Sequence, residues 1–120
     1  MIRSLIDTQK HEGWLPDCRM SFSRGYTQGG SNADIVLADA YLKGITNNID
    51  WDEGYAAVIK DAEVEPFDWC CHGRGGLESW KALGYIPVED SDFVGFGTMT
   101  RSVSRTLKYS YNDFAIRAMA

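Results

Sequence analysis

The side chains of Trp14, Asp17, Arg19, Gln28, Asn32 and Asp34 combine an aromatic face with planar polar groups, the chemistry of a ligand-pocket wall. An indole offers a flat apolar face to a ligand that has both apolar edges and hydroxyls. Carboxylate, guanidinium and amide groups offer planar hydrogen bonds to its hydroxyls. Each residue also has a plainer use. Trp14 can pack beneath its own loop, and Arg19 can pair with a neighbouring acid. Asn32 suits a helix N-cap, and Asp34 suits a helix N-terminus, where a negative charge meets the positive end of the dipole.

Other groupings carry less. Cys70-Cys71-His72 suggests a metal, but a fourth ligand is missing and the spacing is crowded for zinc, so buried or loop thiols beside a polar histidine are the better reading. Adjacent cysteines bridge only with strained geometry, and Cys18 stands alone, so the three cysteines define no disulfide framework. Gly73-Arg74-Gly75-Gly76 lacks the Lys and Ser/Thr of a phosphate-binding loop and reads as a tight turn feeding a helix. Asp39 lies among Leu37, Ala38, Ala40 and Leu42, where a carboxylate is costly unless paired, and a structural partner such as an arginine is expected. Arg105 and Asp113 read as solvated or structural residues of a helix face.

These residues sit on or between helices. Ile2, Leu5 and Ile6 fit one face of a first helix that stops before Gly13 and Pro16. A loop from Gly13 to Ser31 follows, rich in Gly, Ser and aromatics, and loops of that length are commonly functional. Asn32 is expected to cap a second helix that runs to Lys43 and is apolar almost all round, which predicts burial on most sides. Asp50 and Glu53 have capping-box spacing at the start of a third helix, which presents Trp51, Tyr55, Val58 and Ile59. A short helix, Leu77 to Leu83, is closed by Gly84. The last helix begins near Ser102, with Val103, Leu107, Tyr111, Phe114 and Ala118 forming an apolar stripe. The fold class is all-α; helical hairpins joined by alternating short and long connections are the grammar of an α/α toroid, and the same grammar fits other helical bundles.

A net charge of −5 with scattered acids argues against nucleic acid, which needs a basic stripe. No segment is apolar for long enough to span a bilayer as a helix, so no membrane partner is expected. The charged start is unlike a signal peptide. The chain begins inside a helical pattern and ends with its apolar stripe running, which reads as one piece, residues 1–120, truncated at both ends.

The order of segments says more than any one of them. His11-Glu12-Gly13-Trp14-Leu15-Pro16-Asp17-Cys18-Arg19-Met20-Ser21 is followed by Gly25-Tyr26-Thr27-Gln28-Gly29-Gly30-Ser31-Asn32-Ala33-Asp34. Then come Asp61-Ala62-Glu63-Val64-Glu65-Pro66, Gly73-Arg74-Gly75-Gly76-Leu77, Leu83-Gly84-Tyr85-Ile86-Pro87, and Ser102-Val103-Ser104-Arg105-Thr106-Leu107-Lys108-Tyr109-Ser110-Tyr111-Asn112-Asp113. In this order, over nearly the whole chain, they resemble the α-mannosidases of glycoside hydrolase family 92, especially the fungal branch. The resemblance implies helical hairpins from an (α/α)6 toroid, joined in the whole enzyme to a β-sandwich. It also implies a calcium-dependent, inverting exo-mannosidase acting on a mannose-terminated glycan, with family members often secreted. No counterpart of the family's acid and base motifs is found in the 120 residues, and calcium ligands are not evident. The chain is therefore expected to supply a pocket wall through Trp14, Asp17, Arg19, Gln28, Asn32 and Asp34, to lack the remainder of its parent domain, and to be inactive alone. The alternative is a helical sugar-binding or interaction module without chemistry, which would bind mannose with no turnover.

Overall fold

The computed structural model describes residues 1–17, 19–20, 23–24, 31–91 and 100–120. Among these described residues five helices carry the fold: α1 (Ile2–Glu12), α2 (Asn32–Leu42), α3 (Trp51–Glu63), α4 (Leu77–Leu83) and α5 (Ser102–Met119). Between α1 and α2, two-residue strands β1 (Arg19–Met20) and β2 (Ser23–Arg24) pair antiparallel, with Arg19 opposite Arg24. That ladder is too short to form a core, and the protein is all-α.

Local chemistry sets most helix ends. Gly13 takes a left-handed conformation, φ 84°, and returns its N–H to Gln9 O, closing α1. Asp50 caps α3 by accepting from the Glu53 N–H at 3.1 Å, as the capping-box spacing predicts. Gly84, φ 75°, closes α4. The start of α2 differs from expectation. Ser31, not Asn32, is the N-cap residue, and Asn32 is the first residue inside the helix. The cap comes from a distance: Asp17 Oδ1 accepts the Asn32 N–H at 2.7 Å.

The core joins Ile2 and Ile6 of α1, Leu37, Ala38 and Ala40 of α2, Ala57 and Val58 of α3, and Ala115, Ile116 and Met119 of α5. Alanines at these contacts let helix axes approach closely. Leu15, just beyond α1, is fully buried and fastens the loop to this core. At the far end of α2, Tyr41 and Leu42 are exposed.

Two expectations need correcting. The apolar stripe of α5 faces outward: Val103, Leu107, Tyr111 and Phe114 are 73%, 67%, 53% and 66% exposed. The inward face is Arg105, Tyr109, Asn112, Ala115, Ile116 and Met119. Buried polar partners for Arg105, Tyr109 and Asn112 exist on that side, and they set the rotation of the helix. Asp39, in turn, is exposed. It pairs at 2.7 Å with Lys43, one turn along α2, and not with a buried arginine.

Candidate functional site

The loop leaving α1 is held by α3 and by the turn before α4. Lys60 Nζ of α3 donates to Gly13 O at 2.7 Å and lies 4.5 Å from the centroid of the Trp14 ring. Trp14 also stacks on His72, with centroids 5.4 Å apart and planes 17° from parallel. His72 is buried and pairs through Nε2 with Asp68 Oδ1 at 2.9 Å. Trp14 and Asp17 are therefore engaged with the protein, one in a ring stack and the other as the cap of α2. Arg19 stands in β1, and Gln28 lies outside the described residues.

Beneath the N-terminus of α2 is a buried polar cluster drawn from four parts of the chain. Asp34, Asp61, Arg74, Asn112 and Ser31 are all fully buried. Arg74 Nη2 donates to Asp34 Oδ2 at 3.1 Å and Nη1 to Asp113 Oδ1 at 2.5 Å. Trp80 Nε1 donates to the other oxygen of Asp113 at 2.9 Å. Asn112 Nδ2 donates to Ser31 O and, at 3.3 Å, to Asp34 Oδ2. Ser31 Oγ lies 2.7 Å from Asp61 Oδ2 and 3.3 Å from Asp34 Oδ1. One guanidinium thus faces two carboxylates directly, with a third, Asp61, linked through a hydroxyl.

That arrangement controls protonation. Burial raises the Asp34 carboxyl, and the neighbouring Asp61 raises it further, while Arg74 opposes both. Burial likewise raises Asp61, to about 6, against the smaller opposing effects of Ser31 and Arg74. Both carboxyls are therefore biased toward holding a proton, and the Arg74 guanidinium is the charge that opposes this. Protonated Asp61 can donate to Ser31 Oγ, leaving the single hydroxyl hydrogen of Ser31 for Asp34. Among the described residues Asp61 Oδ1 has no hydrogen-bond partner, which costs less on a neutral acid than on a buried anion.

A second cluster fastens the turn before α4 to α5. The Tyr109 hydroxyl accepts the Gly75 N–H and donates to Gly75 O, each at 3.0 Å. Arg105, buried, donates from Nε to Thr100 O at 2.7 Å, from Nη1 to Gly75 O at 3.2 Å, and from Nη2 to Asp90 O. Its guanidinium carbon sits 4.7 Å from the centroid of the Trp69 ring. A Cβ on Gly75 would lie 2.1 Å from that indole, so only glycine fits there.

Open grooves lie elsewhere. One of about 490 Å³ runs between α3, α4 and α5, past Tyr55, Trp80, Asp113 and Arg117. Another, of about 290 Å³, is bordered by Trp69, Glu78, Glu89 and Arg105. Neither is lined by Trp14, Asp17, Asn32 or Asp34. Among the described residues no three His, Cys, Asp or Glu side chains are grouped to hold a metal ion. The nearest approach to such a group, Asp34 with Asp61, faces the cation of Arg74. These residues do not fit a calcium site, and no step is derived through one. Among the described residues no helix is long and apolar enough to cross a membrane.

The geometry is that of a densely bonded helical scaffold, and comparison with known proteins places it. The model of the glycosyl hydrolase family 92 catalytic domain matches residues 1–120. The chain belongs to glycoside hydrolase family 92. It is also 64% identical over 112 residues to a protein of Arthroderma benhamiae described as an uncharacterized secreted glycosidase. That match covers 93% of this chain but only 14% of the relative, so the family 92 chain spans about a seventh of that protein's length.

Reading the sequence undervalued several residues of this family 92 segment. Arg74 was hidden in a glycine-rich turn, although an arginine flanked by glycines is well placed to be buried by close backbone approach. Asp61 lies three and four residues after Val58 and Ala57, on the buried face of α3, and that spacing was the available signal. Asn112 and Asp113 had no local signal, since their partners lie 33 to 81 residues away in the chain.

Proposed function

We propose that these residues form part of the catalytic domain of an inverting exo-α-mannosidase that removes terminal mannose, with α-1,2 preference, from N-glycans or mannan. The observation that carries this reading is the family match along all 120 residues. An inverting hydrolase needs a protonated carboxyl and a carboxylate about 6.5–9.5 Å apart, with a water between them. Here the buried carboxyls of Asp34 and Asp61 and the partly exposed one of Asp113 are drawn into one network with Arg74 and leave no room for that division of labour. The segment is a wall of the pocket and one arc of an (α/α)6 toroid, with the acid, the base and the calcium ligands supplied by the remainder of the domain. Trp14, Asp17, Arg19 and Gln28 are the residues nearest to sugar. Asn32 and Asp34 anchor them from behind. The description of the relative as secreted supports export of the whole protein.

The test has two arms. The Arthroderma relative, expressed at full length with calcium, releases mannose from α-1,2-mannobiose, with the β-anomer seen first by NMR. Failure to release mannose from any α-mannoside would remove the mannosidase reading. The 120-residue chain under the same conditions releases none, and sustained turnover by it would show that it holds the catalytic pair.

A further inference from the structure

Helix α5 has two unlike sides. Arg105, Tyr109, Asn112 and Ile116 are buried, whereas Val103, Leu107, Tyr111 and Phe114 are exposed. At 3.6 residues per turn the four exposed side chains fall within roughly 80° of arc, opposite the buried set, along about 17 Å of helix. The apolar surface continues beyond the helix. The Ile86 N–H donates to Thr106 Oγ1 at 2.9 Å, which lays the chain after α4 against α5, and Tyr85 and Val88 of that chain are exposed as well. Together they make an apolar patch on the order of several hundred Å², the extent that marks an interaction surface.

The rim of the patch selects its partner. The chain carries a net charge of −5, yet α5 holds Arg105, Lys108 and Arg117 against one acid, Asp113. Arg105 is buried, and Asp113 is engaged by Arg74. Lys108 and Arg117 are then the charges that flank the stripe, one on each side by helical projection. A second copy of the chain on this face would meet a basic rim with the same basic rim, a juxtaposition that opposes association. A helix with acidic flanks meets it with opposite charge.

We propose that the outward face of α5 is the docking surface for an amphipathic helix of the same protein, one with an apolar stripe between acidic flanks. The match covers only 14% of the relative, and the partner helix belongs to the part beyond these 120 residues. The proposal rests on the reading of this segment as one arc of a larger helical domain. Val103, Leu107, Tyr111 and Phe114 interdigitate with the partner's apolar side chains, and its acids meet Lys108 and Arg117 at the rim. Helix α5 then stands between two packings, a polar one around Arg74 and an apolar one around Leu107.

The experiment tiles the Arthroderma relative outside the matched segment with overlapping peptides of about 25 residues, long enough to span α5 as a helix. Binding of each to the 120-residue chain is read by fluorescence polarisation. The peptides that bind are those with apolar residues at helical spacing between acidic flanks. Leu107→Asp and Phe114→Asp each weaken that binding about tenfold or more, with far-UV circular dichroism unchanged. Lys108→Glu combined with Arg117→Glu reverses the preference, so that a peptide with its flanking acids exchanged for lysine binds this variant better than it binds the parent chain. Sedimentation velocity of the chain alone gives a monomer. The proposal is overturned if no peptide binds, if the stripe variants leave binding unchanged, or if the peptides that bind carry basic flanks. It is equally overturned by a dimer that Leu107→Asp dissociates, which would make a second copy the occupant. A relative that releases no mannose changes none of these readings, so failure of the mannosidase reading and failure of this proposal are told apart.

Discussion

Arg74 and Asp113 meet at 2.5 Å, and the same guanidinium reaches Asp34 at 3.1 Å, so one buried cation ties α2 to α5 through the turn before α4. Removing it leaves the Asp34 charge buried with no counterion. Arg74→Met should cost about 3–5 kcal/mol, the range for breaking a buried pair from one side. Arg74→Lys should recover little, because a single ammonium cannot reproduce the two-armed donor geometry. Urea unfolding followed by tryptophan fluorescence measures both, and a loss under about 1 kcal/mol for Arg74→Met would contradict the ion-pair reading.

Asp61 should make stability depend on pH in the less usual direction. Its folded pKa, about 6, lies above the unfolded value of 3.8, so the folded state holds the proton more tightly. The stabilisation is complete below about pH 4 and is lost as pH rises through about 6. Asp34 acts in the same direction wherever it retains a proton. The melting temperature of the chain should therefore fall between pH 4 and pH 6.5, and Asp61→Asn should flatten the fall. An equally steep profile in Asp61→Asn would assign the titration to another group.

The outward stripe of α5 should tolerate substitution. Leu107→Ala and Phe114→Ala, at exposed positions, should each change stability by no more than about 0.5 kcal/mol. Ile116→Ala, on the buried face, should cost about 2–5 kcal/mol. Chemical denaturation of the three variants decides it, and equal losses at Leu107 and Ile116 would mean that the helix is rotated from its described position.

Asp17 should show its capping role. Asp17→Ala should cost about 0.5–2 kcal/mol, as for other lost N-caps, and Asp17→Asn should recover most of it. Asn32→Ala should matter less, because among the described residues its side chain accepts a single 3.4 Å bond, from Lys108. Thermal melts rank the three, and a larger effect at Asn32 would restore it as the cap.

Much of the fold was legible because helix starts and stops are local. The capping pair Asp50 and Glu53, the glycines at 13 and 84, and the apolar spacing of α1 and α3 each act within a turn or two of chain. The order of motifs from His11 to Asp113 likewise pointed to glycoside hydrolase family 92 without coordinates. Tertiary structure decided what the local pattern could not. In α5, hydrophobic spacing marked the stripe of Val103 and Leu107, but buried partners for Tyr109, Asn112 and Arg105 turned that stripe to the outside. At α2, local preference favoured Asn32 as cap, while Asp17 arrived from fifteen residues upstream to take the role. Asp34, Asp61 and Arg74 look like unrelated surface charges along the chain. Only when α2, α3 and the turn before α4 converge do they lose their water, and desolvation then makes each depend on the others.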